Sequence, residues 1–214
     1  MKETNANIAV DAVFSEDGKH RYALTYTWNK ELPRLSILMI IPGSSPKVDS
    51  EHTSMGLTEY LCLSNCSKLQ HYGAITIINL FSRISDDYAQ IPKNSFKGAT
   101  NEENDEVIME TIKDTDIIIA PGSTVCTSKI PYLRACQVFK ELEEKYPDRL
   151  YYIGDGYRHG NHHPLDVYMR HSWVLEKAIK PYEQLLKNSK FEKTDKKNLK
   201  SPKDTSAQKN KNNN

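Results

Sequence analysis

Four short apolar runs constrain the fold of this chain more than any other feature. They are LSILMII (Leu35 to Ile41), AITIIN (Ala74 to Asn79), DIIIA (Asp116 to Ala120) and LYYIG (Leu150 to Gly154). Each is short, with no polar alternation, which fits a strand covered on both faces as in a parallel sheet. Helix-like segments lie between them. Thr53 or Ser54 could cap a helix reaching about Gln70. Thr100 with Glu103 forms a T-x-x-E capping box for a helix through about Lys113. Pro131 suits the first turn of a helix through about Lys145, and a last helix is expected from about Ser172 to Leu186.

This alternation predicts the α/β class: a three-layer α/β/α sandwich around a doubly wound, mainly parallel four-stranded sheet. Ahead of it, IAVDAVF and RYALTYTW are separated by SEDGKH. The Asp17-Gly18 pair there signals a hairpin turn, so an N-terminal β-hairpin over about 8–28 joins one edge. A single domain is expected over 1–186, with its core over about 35–186.

The net charge of +1 hides an asymmetry. Residues 187–214 hold nine lysines against Glu192, Asp195 and Asp204, a balance of +6, which leaves −5 on the rest. That lysine-rich stretch has too few apolar residues to offset the entropy of ordering and is expected to be a disordered tail. It could hold phosphate backbones through counterion release, or serve only as a solubilising terminus. No run approaches about 18 apolar residues, so no membrane is expected. MKETNANIAVDAVFSEDG has no continuous apolar segment, so the expected compartment is the cytoplasm. Cys62, Cys66, Cys126 and Cys136 lack CxxC spacing and are read as buried, reduced thiols.

In open α/β sheets, ligands collect at the carboxyl ends of the strands. Here those ends read IPGSSP, NLFSR, APGST and GDGYRHGNHHP, four polar glycine-bearing loops. The last holds His159, His162 and His163 with Asp155 and Asp166 nearby. Their loop spacing, without an HExxH helix, argues against a metal, so none is expected. His163, fixed by Pro164, could present one imidazole to developing negative charge, or the loop could be structural. Asn79 closes an apolar run with an amide that offers a donor and an acceptor to a nucleobase edge, or that ties a loop. Backbone N–H groups around Gly43 and Ser44 could bind phosphate or a base edge. Arg21 could reach a phosphate, or simply pair at the sheet edge. Walker A, GxGxxG and GxSxG patterns are absent, and no cofactor is expected.

Taken in order, RYALTYTW, ILMIIPGSSPKVDSEHTS, YGAITIINLFS, NEENDEVI, DIIIAPGS and GNHHPLDV resemble the bacterial family called domain of unknown function 1643, over roughly residues 20 to 168. The same order is similar to the uracil-DNA glycosylase superfamily. That resemblance implies a four-stranded parallel core with Pro42 and Gly43 in a water-positioning loop. It implies Asn79 as the base-reading amide and His163 as the group that stabilises the departing base. Phe81, Tyr88 or Tyr157 would stack on the base, and Gly122 would lie at the third strand end. This chain departs from the pattern at Ile41, where the family has an amide. Glu51 or Asp49 could take over water activation. Two functions are implied: a DNA N-glycosylase acting on a modified base, or a nucleic-acid or nucleotide-binding module that has lost its catalytic water. The oligomeric state is left open.

Overall fold

The computed structural model describes residues 8–42, 54–84, 98–154, 162–170 and 173–191, without the side chains of 54–56 and 167. The hairpin forms where expected. Strand β1 (Ala9–Phe14) pairs antiparallel with β2 (Arg21–Thr27). Gly18 turns the chain at φ +68°, a left-handed conformation that glycine adopts without a Cβ clash. Asp17 braces the turn by accepting from Ser15 Oγ (2.7 Å) and the Lys19 N–H (3.1 Å).

The four apolar runs become β3 (Arg34–Met39), β4 (Ala74–Asn79), β5 (Asp116–Ile119) and β6 (Leu150–Gly154). A further strand, β7 (Val174–Lys177), closes the far edge. The sheet order is β1-β2-β4-β3-β5-β6-β7. The expected four-stranded, mainly parallel sheet is therefore corrected to a seven-stranded mixed one. The pairings β3–β4, β3–β5 and β5–β6 are parallel, while β1–β2, β2–β4 and β6–β7 are antiparallel. The physical reason is that continuous apolar runs mark only strands buried on both faces. β1 and β7 are edge strands with exposed residues, so their sequences lack that signature.

Among the described residues five helices cover the sheet: α1 (Ser54–Cys66), α2 (Glu102–Ile112), α3 (Thr124–Thr127), α4 (Lys129–Lys145) and α5 (Pro181–Asn188). The cap of α2 is Asn101, whose side chain accepts from the Asn104 N–H. Thr100 instead accepts from the Asn104 amide at 3.0 Å. The expected helix from Ser172 is replaced by β7 followed by the shorter α5. Lys180 adopts φ +50° and Pro181 opens α5. Proline lacks the N–H that a helix interior needs, so a continuous helix cannot pass through it. Beyond α5, the Phe191 ring lies 5.3 Å from that of Tyr132; residues 192–214 fall outside the described part.

Two apolar clusters flank the sheet. On one face α1, with Cys62 and Cys66 fully buried, packs on Leu24, Tyr26, Ile37, Ile75, Ile77 and Ile118. On the other, α2, α3, α4 and α5 bury Ile108, Val125, Phe139 and Leu185 against Leu38, Ile78 and Ile119. Burying each such side chain contributes about 1.5–3 kcal/mol. None of the four cysteines is joined in a disulfide. Among the described residues, no helix is long and apolar enough to cross a membrane.

Candidate functional site

The connections leaving β3 and β5 go to opposite faces. β3 leads to α1 on one side, and β5 leads to α3 and α4 on the other. Their carboxyl ends therefore mark a topological switch point, the place where such sheets tend to hold ligands. Ile40, Ile41 and Pro42 follow β3, and Ala120, Pro121 and Gly122 follow β5. Asn79 ends β4 on the other side of β3, in register with Met39. β3 lies between β4 and β5, so with adjacent strands about 4.8 Å apart the ends of β4 and β5 stand roughly 10 Å from one another.

Side-chain direction divides this edge in two. Ile75 and Ile77 face α1, and Asn79 continues that alternation. Asn79 is 1% exposed, and its Oδ1 has no hydrogen-bond partner among the described residues. A buried acceptor left unpaired costs about 1–3 kcal/mol, so it calls for a donor from a ligand or water. Its backbone carbonyl is satisfied: Asn104 of α2 donates to it at 3.2 Å from the opposite face.

His163 lies at the β5 side of this edge. It packs on Gly122, where φ is +77° and an added Cβ would stand 3.1 Å from the His163 Cβ. Met169 and Trp173, just downstream, join the α1-side cluster, so this segment shares a layer with Asn79. The Leu165 N–H donates to His163 Nδ1 at 3.2 Å. Asp166 Oδ2 accepts the His163 N–H at 3.0 Å and lies 3.3 Å from His162 Nδ1. A backbone donor on Nδ1 requires the lone pair there, so the neutral ring carries its proton on Nε2.

Burial lowers the His163 pKa from its ordinary value, against a smaller opposing pull from Asp166. The unfolded chain then takes up the extra proton first. This contribution to stability is complete above about pH 6.5 and declines as pH falls from there towards the lower folded value. Thermal melts should drop on acidification below about pH 6.5, and less steeply in His163→Ala. Parallel curves for the two proteins would show that folding does not perturb this imidazole.

The other expected site residues divide between layers. Arg21 and Tyr22 flank a bulge: Phe14 pairs with Arg21 and Val13 with Ala23, leaving Tyr22 as the extra residue. A bulge turns neighbouring side chains out of strict alternation. Arg21 accordingly reaches α1 and Tyr22 reaches α2. The Arg21 guanidinium is 2% exposed and donates to Glu59 at 2.6 Å. The Tyr22 hydroxyl donates to Glu103 and accepts from Asn101 at 2.9 Å. Ile41 is 2% exposed and packs in the core on the α2–α4 side, as does Phe81, so neither joins Asn79 and His163. Pro42 is buried at the end of β3. Gly43, Ser44, Asp49, Glu51, Tyr88, Asp155, Tyr157 and His159 lie outside the described residues. Among the described residues, no three His, Cys, Asp or Glu side chains group as metal ligands.

A family model described as a protein of unknown function, DUF1643, matches residues 21–165. The chain belongs to that family. The DUF1643 match runs from Arg21, the buried cation of β2, to Leu165, whose N–H fixes the His163 tautomer. It thus takes in every group placed at this edge. No curated protein and no solved structure matches the chain.

Sequence reading missed Glu59, the buried acidic partner of Arg21. The signal was present: Glu59, Cys62 and Cys66 share one face of α1, and a carboxylate on an apolar stripe needs a partner. It also missed the joint made by Asn104, Asp105 and Arg134. Arg134 Nε donates to the Leu80 carbonyl at 2.9 Å while its other nitrogens hold Asp105, locking α2 and α4 onto the end of β4.

Proposed function

We propose that this DUF1643 protein recognises a nucleobase, free or within a nucleic acid, at the carboxyl ends of β4, β3 and β5. The Asn79 amide oxygen, unpaired among the described residues, carries the reading. It is a buried acceptor in the same layer as a histidine held as an Nε2–H donor. A base edge offers both complements, an N–H and a carbonyl or ring nitrogen. The core position of Ile41 favours binding without hydrolysis, because an apolar side chain there holds no water. The lysine-rich stretch 187–214 would add salt-sensitive contacts to phosphates when the base lies in a polymer.

A second reading, DNA N-glycosylase, is favoured by His163 itself. Departure of a base builds negative charge on it, and a fixed Nε2–H donor would stabilise that charge. In duplex DNA the base would first have to leave the stack. Abasic-site formation and binding should be measured together on single- and double-stranded DNAs with normal, deaminated and bulky bases. Binding without cleavage is the expected result. Asn79→Ala and His163→Ala should each weaken it about tenfold or more while leaving the fold intact. Abasic sites that vanish in His163→Ala would establish the glycosylase instead. Binding unaffected by both substitutions would remove this edge from base recognition.

A further inference from the structure

Asn79 sits where the sheet no longer holds β4 on its β2 side. The β2–β4 ladder is in register only as far as Ala23 and Ile78. Beyond that pair the Arg21 N–H donates to the Ser82 carbonyl at 2.9 Å, so Asn79 and Leu80 lie in a break of the ladder. Side chains from the other face of the sheet take over there. Asn104 of α2 donates to the Asn79 carbonyl at 3.2 Å, and Arg134 Nε of α4 donates to the Leu80 carbonyl at 2.9 Å.

Asn104 is itself held from several directions. Its N–H donates to the Asn101 cap at 3.1 Å, its amide also donates to Thr100 Oγ1 at 3.0 Å, and its neighbour Asp105 is gripped by Arg134. The side chain is fully buried, and its Oδ1 has no hydrogen-bond partner among the described residues. An unpaired buried acceptor lowers stability. The donors of this amide, rather than its packing, therefore account for an asparagine at this place. We infer that Asn104 is a positioning residue for Asn79. Holding the Asn79 carbonyl from the α2 side restrains ψ at Asn79, and the backbone angles limit which side-chain rotamers are allowed. The amide on the α1 side is thereby kept in one direction. The consequence for ligand affinity rests on the base recognition proposed above; the positioning itself does not.

The first test needs no ligand. Asn104→Leu removes the donors and fills nearly the same volume, with Asn104→Ala as the second variant should leucine not fold. The Asn79 side-chain amide signals in nitrogen-correlated proton NMR, assigned by their loss in Asn79→Ala, should shift or broaden in either variant. The signals of Ile75 and Ile77 should stay in place. Gly18→Ala, a substitution in the distant hairpin turn, should leave the Asn79 signals unmoved, which separates positioning from a general loss of stability. The second test is a double-mutant cycle read by titration with a single-stranded oligodeoxynucleotide carrying all four bases. Asn104→Leu should weaken binding about tenfold in the wild-type background and add nothing to Asn79→Ala. Unmoved Asn79 signals in a folded Asn104 variant would overturn the inference, as would fully additive losses in the cycle. An oligonucleotide that fails to bind the wild type would overturn the base recognition instead, with the NMR comparison still deciding the role of Asn104.

Discussion

Arg21→Ala should destabilise the protein by about 3–5 kcal/mol, the usual result of stripping one partner from a buried ion pair. The two side chains are 2% and 8% exposed and meet at 2.6 Å. Removing the guanidinium leaves the Glu59 carboxylate under α1 with no countercharge. Burial already pushes the Glu59 pKa up, with Arg21 as the force pulling it down, so the orphaned group would take a proton. For a chain of this size the melting temperature should fall by roughly 10 °C. The double variant Arg21→Met/Glu59→Leu should recover most of that loss, because it removes the uncompensated charge along with the pair. Thermal melts of both proteins decide the matter. A double variant as unstable as the single one would show that Arg21 stabilises through packing or other bonds rather than by neutralising Glu59.

Gly73→Ala should cost about 3 kcal/mol or more, for a different reason. A Cβ at Gly73 would stand 1.9 Å from the Asn29 carbonyl oxygen and 2.8 Å from the Leu32 Cβ. Backbone at that distance cannot rotate away as a side chain could. Nor can the segment retreat freely. The Gly73 carbonyl accepts from the N–H groups of Trp28 and Asn29, and its own N–H donates to Pro33. Relief of the clash therefore breaks hydrogen bonds that join the β2–β3 connection to the start of β4. Gly18→Ala is the control: its φ is +68°, but nothing lies within 4 Å of the added carbon. That change should cost only about 1–2 kcal/mol of backbone strain. Chemical denaturation of the two variants should separate them clearly. Equal losses would mean that the approach of Asn29 to Gly73 is easily relaxed.

These two sites also show where sequence reasoning reached and where it stopped. Leu35 to Ile41, Ala74 to Asn79, Asp116 to Ala120 and Leu150 to Gly154 were legible as strands, because burial on both faces leaves no polar alternation. The turn at Asp17-Gly18 was legible because its chemistry is local. β7 was not. VLEK is half-exposed and charged, and it becomes a strand only because β6 offers an open edge. Asn79 and His163 could be marked as polar residues closing or following apolar runs. Nothing in their positions along the chain said that Asn79 would keep an unpaired oxygen or that Leu165 would fix the His163 tautomer. Glu59 drew no attention, although a carboxylate on the cysteine face of α1 was a visible anomaly.

The division has a physical basis. The sequence by itself determined what depends on near neighbours: the hairpin turn, the central strands, the helix segments α1, α2 and α4 and the residue types at each strand end. Tertiary structure alone decided what depends on groups far apart in the chain. The insertion of β2 beside β4 set the mixed sheet. The bulge at Tyr22 then sent Arg21 to α1 and Tyr22 to α2, choosing partners 38 and 81 residues away. Whether a buried polar group is satisfied depends on such distant partners. The Asn79 oxygen left unpaired among the described residues, the observation on which the proposed function rests, could therefore be seen only in the fold.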